Sequence, residues 1–153
     1  EIRTMLFTLR PVILETQGLV VALEQYLKRL EEEAGLVVHL EAADLGDRLD
    51  TEIEGVAFSI IEEAVTNAKK YAQARNIWVR LDFEDNLFVA TVEDDGTGFD
   101  VAEVQDSYSQ RGSLGLINMR ERAELVEGTS TIESTIGRGT KVTLIVPLPE
   151  EEI

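Results

Sequence analysis

Two apolar, β-type segments, Asn76 to Phe83 and Leu87 to Val92, stand three residues apart, and the second runs straight into Glu93-Asp94-Asp95-Gly96-Thr97-Gly98. The short link Glu84-Asp85-Asn86 predicts an antiparallel pair joined by a hairpin-type loop. A strand that ends in Asp-x-Gly-x-Gly puts a carboxylate at the end of a sheet and then turns sharply. Glycine permits the turn and lets a ligand come close to the backbone. The same stretch taken alone is also an ordinary strand-ending turn, because Asp and Gly are common turn residues.

The rest of the chain decides what surrounds this pair. Residues 1–10 carry apolar residues at helical spacing (Ile2, Met5, Leu6, Leu9) until Pro11 interrupts them. The sequence begins at Glu1 rather than Met, so this segment reads as the tail of a helix that started earlier in a longer protein. A second helix is expected from Gly18 to Ala34, stopped by Gly35. Leu36 to Glu41 reads as a strand holding His39, for which a solvated or satisfied histidine is the expected state. Asp50 and Thr51 are candidate caps for the longest helical pattern, Thr51 to Gln73, whose apolar arc comprises Ile53, Val56, Ala57, Ile60, Ile61, Ala64 and Ala68. Asp100 to Arg111 is polar and reads as a loop. Leu114 to Val126 restores helical spacing, and Thr129 to Ser134 and Thr140 to Pro147 are the last two strands. Helices mixed with adjacent antiparallel strands predict a two-layer α/β sandwich, one sheet with its helices on one face.

Composition removes several function classes. With 30 acidic and 14 basic side chains the net charge is −16, which repels nucleic acid and anionic lipid at long range. An anionic ligand must then meet a local set of Lys, Arg or backbone N–H groups, or bring its own cation. The absence of cysteine excludes a disulfide frame and a thiol nucleophile and is compatible with a reducing compartment. A single histidine excludes a multi-histidine metal site within this chain. No apolar run approaches the roughly 20 residues that cross a bilayer.

Projected on the long helix with Ile53 at zero, Glu63 falls at about 280°, Asn67 at about 320° and Lys70 at about 260°. These lie on or beside the rim of the apolar arc, whereas Glu62 at about 180° and Lys69 at about 160° point away. An asparagine at a packed rim is costly unless its amide is used. Glu63 and Asn67, one turn apart, offer two oxygens suited to a hard cation such as Mg²⁺, which completes its shell with water and substrate phosphates. They could equally be an i,i+4 hydrogen-bonded pair. Two further glycine turns matter: Gly112-Ser113-Leu114-Gly115-Leu116 opens into a helix whose free N–H groups favour phosphate, and Gly137-Arg138-Gly139-Thr140 joins two strands. Neither a Walker-type loop nor a strand–GxGxxG–helix unit is present.

The order Glu63-x-x-x-Asn67, Asp94-x-Gly96-x-Gly98, Gly112 to Gly115, then Gly137-x-Gly139-Thr140 resembles the ATPase superfamily of gyrase, heat-shock chaperones, histidine kinases and mismatch-repair proteins. Glu62-Glu63-Ala64-Val65-Thr66-Asn67-Ala68-Lys69-Lys70 resembles the N box of bacterial sensor histidine kinases. Gly115-Leu116-Ile117-Asn118-Met119-Arg120-Glu121-Arg122 resembles a signature of their nitrate-sensor-like subfamily. Leu9-Arg10-Pro11 followed by Gly18-Leu19 is similar to that subfamily's junction between dimerisation helix and ATPase domain. The resemblance covers nearly the whole chain.

The resemblance implies a sandwich of the Bergerat type that binds ATP and Mg²⁺. It divides the chain into the tail of a dimerisation helix (1–11), an ATP-binding catalytic domain (12–148) and an acidic tail (149–153). Asp94 would accept a hydrogen bond from the adenine amino group, and Gly96 and Gly98 would let the backbone pass close to the nucleotide. Asn67 would hold Mg²⁺, with Glu63 as ligand or general base and Lys70 near phosphate. Gly112, Ser113, Leu114, Gly115 and Leu116 would cover the phosphates at the end of a lid, and Gly139 and Thr140 would complete the far wall. Arg111, with Arg120 as a second candidate, would balance phosphate charge. Asp95 is expected to be a turn acid facing solvent. His39 does not match the phosphate-accepting histidine, which is expected upstream of Glu1. The expected whole is a homodimeric kinase with a cytoplasmic catalytic domain, passing phosphate to its own dimerisation domain and then to a response regulator. This domain itself would touch neither nucleic acid nor membrane. An anti-sigma-type protein-serine kinase and a non-catalytic interaction module are the alternatives.

Overall fold

The computed structural model describes residues 12–44, 49–70, 73–98 and 111–148; the side chains of Lys70 and of residues 111–117 lie outside that description. The tail helix expected at 1–10, most of the loop expected at 100–111 and the acidic end at 149–153 fall outside it as well.

Among the described residues nine elements follow one another. They are α1 (Val12–Gln17), α2 (Leu19–Ala34), β1 (Val37–Ala42), α3 (Thr51–Lys70), β2 (Asn76–Glu84), β3 (Leu87–Asp94), α4 (Arg111–Glu124), β4 (Thr129–Thr135) and β5 (Gly139–Pro147). Helix α1 was not expected from the sequence; six residues after a proline carry too little periodicity to announce it. Helix α4 starts at Arg111, not Leu114, so Gly112 and Gly115 lie in its opening turns rather than in a preceding loop. The glycines hid this start, since they weaken helix propensity and read as turn residues. Helix α3 runs to Lys70, short of the expected Gln73, and the other boundaries shift by a residue or two.

The cap signals act as expected. Asp50 Oδ1 accepts the Ile53 N–H at 2.8 Å and opens α3. Gly35, at φ 71°, closes α2 and donates its N–H to the Glu31 carbonyl. Gly18 offers α2 no side-chain cap, and Glu54 of α3 accepts the Leu19 N–H at 3.2 Å instead. One helix thus fastens the start of another.

The five strands form one sheet in the order β1-β2-β3-β5-β4. Strands β1 and β2 are parallel and all other neighbours antiparallel. Pairing of Glu84 with Leu87 leaves Asp85 and Asn86 as the hairpin turn. In register, Leu40, Val79, Val92, Val142 and Ile132 form one transverse row, and Leu81, Ala90 and Leu144 belong to the next. These side chains turn to the layer where α2 meets β1, α3 meets β2, β3 and β5, and α4 meets β4. The alternate row, His39, Trp78, Glu93, Lys141 and Glu133, faces away. One face is therefore packed and the other open, as the alternation predicted. Ile60, Ile61 and Val65 of α3 and Met119 and Ala123 of α4 are almost fully buried against the inner face. Each large side chain there contributes roughly 1.5–3 kcal/mol by leaving water.

Candidate functional site

Strand parity places the acid of interest. Asp94 follows Ala90 and Val92 on the inner face, so its side chain turns toward the helices; it is 6% exposed. Among the described residues it is the only charged side chain in the buried core. Burial pushes its carboxyl above the usual carboxylate range. The backbone N–H groups of Gly96, at 2.8 Å, and Thr140 counter that rise, while the charges of Asp95 and Glu93 add to it. An acid retained at this cost, with acceptor capacity beyond two backbone donors, is suited to a ligand that brings a further N–H.

The first and third glycine turns interlock around it. Asp94 and Thr140 are direct cross-strand partners. Thr97 accepts the Gly137 N–H at 2.6 Å. Gly98 takes φ 68°, and a Cβ there would strike the Thr135 carbonyl; at Gly139, with φ 94°, a Cβ would strike the carbonyl of Asp94 itself. Both positions need glycine for conformation and for room. Gly96 is buried and serves as a backbone donor. The Thr140 hydroxyl is held by Ser134 at 2.8 Å. Asp94, Gly96, Gly98, Gly139 and Thr140, singled out from separate stretches of sequence, thus form one cluster at the end of the β3–β5 ladder.

Glu63 and Asn67 lie on α3, the helix packed against β3 and β5, and both are half-buried. Among the described residues no group of three or more carboxylates and histidines could hold a metal by itself. Two oxygens one turn apart therefore fit only a cation that brings other ligands, and Mg²⁺ carried by phosphates fits that donor set. The side chains of Lys70, Arg111, Ser113, Leu114 and Leu116 are outside the described residues; only the helical backbone is placed for these and for Gly112 and Gly115. The N–H groups of the first four residues of α4 have no partner within the helix, so the helical start keeps donors for an anion. Arg120 is exposed.

Two acids differ from expectation. Glu62 has a solvent-accessible side chain, as its projection predicted, yet desolvation where α3 meets α4 raises its carboxyl, with the Arg122 guanidinium opposing the rise. Its neighbour lies on another element, so no pattern within α3 could show it. Asp95 is exposed but is not a free turn acid. It accepts from Arg75 N, Asn76 N and Asn76 Nδ2, each at 2.9 Å. These bonds lower its carboxyl, the Asn76 side chain most. His39 is exposed, stacks on Trp78 at 5.4 Å and approaches Asn76 Oδ1 at 3.4 Å.

A mixed sheet with helices on one face, and a buried acid among interlocked glycine turns at the end of one ladder, is the arrangement to be compared with known folds. The family of histidine kinase-, DNA gyrase B-, and HSP90-like ATPases matches residues 53–150. The chain belongs to this ATPase family. An uncharacterized sensor-like histidine kinase of Chloroflexus aurantiacus is 52% identical over 151 residues, 97% of this chain and 25% of that protein. The oxygen sensor histidine kinase NreB of Staphylococcus carnosus is 40% identical over 151 residues, 98% of this chain and 42% of that protein. The chain thus spans less than half the length of either relative. The histidine kinase domain of a blue-light activated histidine kinase from Erythrobacter litoralis superposes with a TM-score of 0.65 at 22% identity, over 81% of this chain and 57% of that one. The Acinetobacter baumannii histidine kinase AdeS gives 0.66 at 19% identity, over 90% and 73%. The resemblance to histidine kinases and the expected α/β fold are borne out. Among the described residues no helix is long and apolar enough to cross a membrane.

Proposed function

We propose that residues 12–148 are the ATP-binding catalytic domain of a two-component sensor histidine kinase. The observation that carries this reading is Asp94: a carboxylate kept in the core, satisfied by two backbone donors, on the helix side of the sheet that also carries Glu63 and Asn67. In the complete protein the γ-phosphoryl of ATP would pass to a histidine on the dimerisation domain and then to a response regulator. The bond between the γ-phosphorus and the β,γ-bridging oxygen breaks, a phosphorus–nitrogen bond forms, ADP leaves, and the imidazole gives up its N–H proton.

Each residue has a limited task, because phosphoryl transfer asks a protein mainly for position and charge balance. Asp94 accepts the adenine amino group and sets the base in one orientation. Gly96, Gly98 and Gly139 keep the backbone near the base free of side chains, and Thr140 forms the adjoining wall. Asn67 contributes its amide oxygen at the phosphate end, with Glu63 beside it to ligate or to receive the proton. Mg²⁺, when bound there, neutralises developing charge on the phosphate oxygens. Lys70, Arg111 and the opening N–H groups of α4, from Gly112 to Leu116, supply the remaining positive character that an acidic surface lacks. Two relatives named as sensor histidine kinases favour this reading over a serine kinase.

Calorimetric titration of the chain with Mg-ATP should give saturable binding, and Mg-GTP should bind far more weakly. A titration without heat, joined to an unchanged melting temperature, would remove the nucleotide reading.

A further inference from the structure

The acid beside Asp94 has no task in that scheme, yet its carboxylate accepts three hydrogen bonds at this end of the sheet. Regular pairing of β2 with β3 ends at Ile77 and Asp94. Strand ends fray, because their last backbone groups lack partners on one side. Asp95 carries the pairing one residue further, its N–H reaching the Asn76 carbonyl at 3.3 Å. Its Oδ1 then takes the N–H groups of Arg75 and Asn76, and its Oδ2 takes the Asn76 amide. Both carboxylate oxygens are committed to one short segment. That segment is itself tied back to α3, since the Ala74 N–H approaches the Ala68 carbonyl at 3.5 Å, one residue from Asn67. Hydrogen bonds at residues 74–76 thereby tie this one segment both to the end of β3 and to α3 beside Asn67.

We propose that Asp95 is a positioning residue for base recognition, clamping the end of β3 onto Arg75 and Asn76 so that Asp94 is held where the adenine amino group must meet it. The inference rests on the adenine-site reading of Asp94 given above. A surface aspartate with one hydrogen bond would carry no such weight. Here three charge-assisted bonds act on the residue next to the reading carboxylate.

The test is a comparison of nucleotide affinities. Asp95→Ala should bind Mg-ATP about tenfold more weakly, while Mg-GTP affinity stays unchanged, so that discrimination between the bases narrows. In an Asp94→Asn background the same substitution should have no further effect on ATP, because Asp95 acts only through Asp94. Asp95→Asn removes the charge from all three bonds and should weaken ATP binding; the exchange Asn76→Asp with Asp95→Asn restores a carboxylate facing an amide and should recover part of that affinity. Asn76→Ser, which keeps the charge of Asp95 and removes one hydrogen bond, should give a loss of about threefold even where Asp95→Ala does not fold. ATP binding by Asp95→Ala or Asn76→Ser equal to the parent's overturns the inference and leaves the nucleotide site standing. Equal losses for ATP and GTP, or a full loss repeated in the Asp94→Asn background, overturn it too, as a merely structural effect. A parent chain that does not bind ATP overturns the site and the inference together.

Discussion

Asp94 is expensive to the fold and, in the proposed function, necessary to the site. Its carboxyl is raised above the ordinary value by burial, so the folded chain holds the proton more tightly than the unfolded one. Stability from this group therefore falls as pH rises from the ordinary aspartate range to the raised folded value, and above it the ionised group is a standing cost. Asp94→Asn removes that cost. Its carbonyl can serve the Gly96 and Thr140 N–H groups, but its N–H₂ then faces the adenine amino group, donor against donor. We expect a melting temperature at least as high as the parent's at neutral pH, with ATP affinity lower by about a hundredfold. Parent affinity should also weaken on acidification, beginning above the usual carboxylate range, and that pH dependence should vanish in the variant. Equal affinities for parent and variant would deny Asp94 its role. Asp95 has the opposite sign: its carboxyl is lowered, so its contribution is present above the ordinary value and is lost as pH falls through the folded one.

At the scale of elements, the turn between β4 and β5 is as much a part of the site as the end of β3. Gly139 sits at φ 94°, and a Cβ there would strike the Asp94 carbonyl. Alanine there meets both a disfavoured backbone conformation and a backbone collision, and the two strands must part where Asp94 pairs with Thr140. Gly139→Ala should lose about 2 kcal/mol or more in chemical denaturation and should weaken ATP binding as well. An unchanged midpoint would mean that the turn relaxes without cost. Helix α3 was legible in the sequence because its apolar arc is long and Asp50 marks its start. The start of α4 was not legible, since Gly112 and Gly115 mimic a loop and only the packing of Met119 and Ala123 beneath them makes a helix worthwhile.

At the scale of the whole molecule, a ligand held between the sheet and α3 should stabilise everything it touches. At a hundredfold excess over its dissociation constant, Mg-ATP should add about 2.7 kcal/mol, a rise in melting temperature of about 5–10 °C for a chain of this size. Without Mg²⁺ the rise should shrink, because Glu63 and Asn67 alone leave the phosphates uncompensated. The class of fold and the open and packed faces of the sheet were determined by the sequence alone, because strand alternation and helical spacing are local properties; Asp94, Gly98 and Gly139 stood out by their place in the glycine motifs. Only the tertiary structure decided that the Asp-x-Gly-x-Gly turn locks into the β4–β5 turn, that Arg122 stands against Glu62, and that Asp95 grips Arg75 and Asn76. Those contacts join residues about 20 to 60 positions apart, and they depend on strand order and register, which no periodicity along the chain encodes.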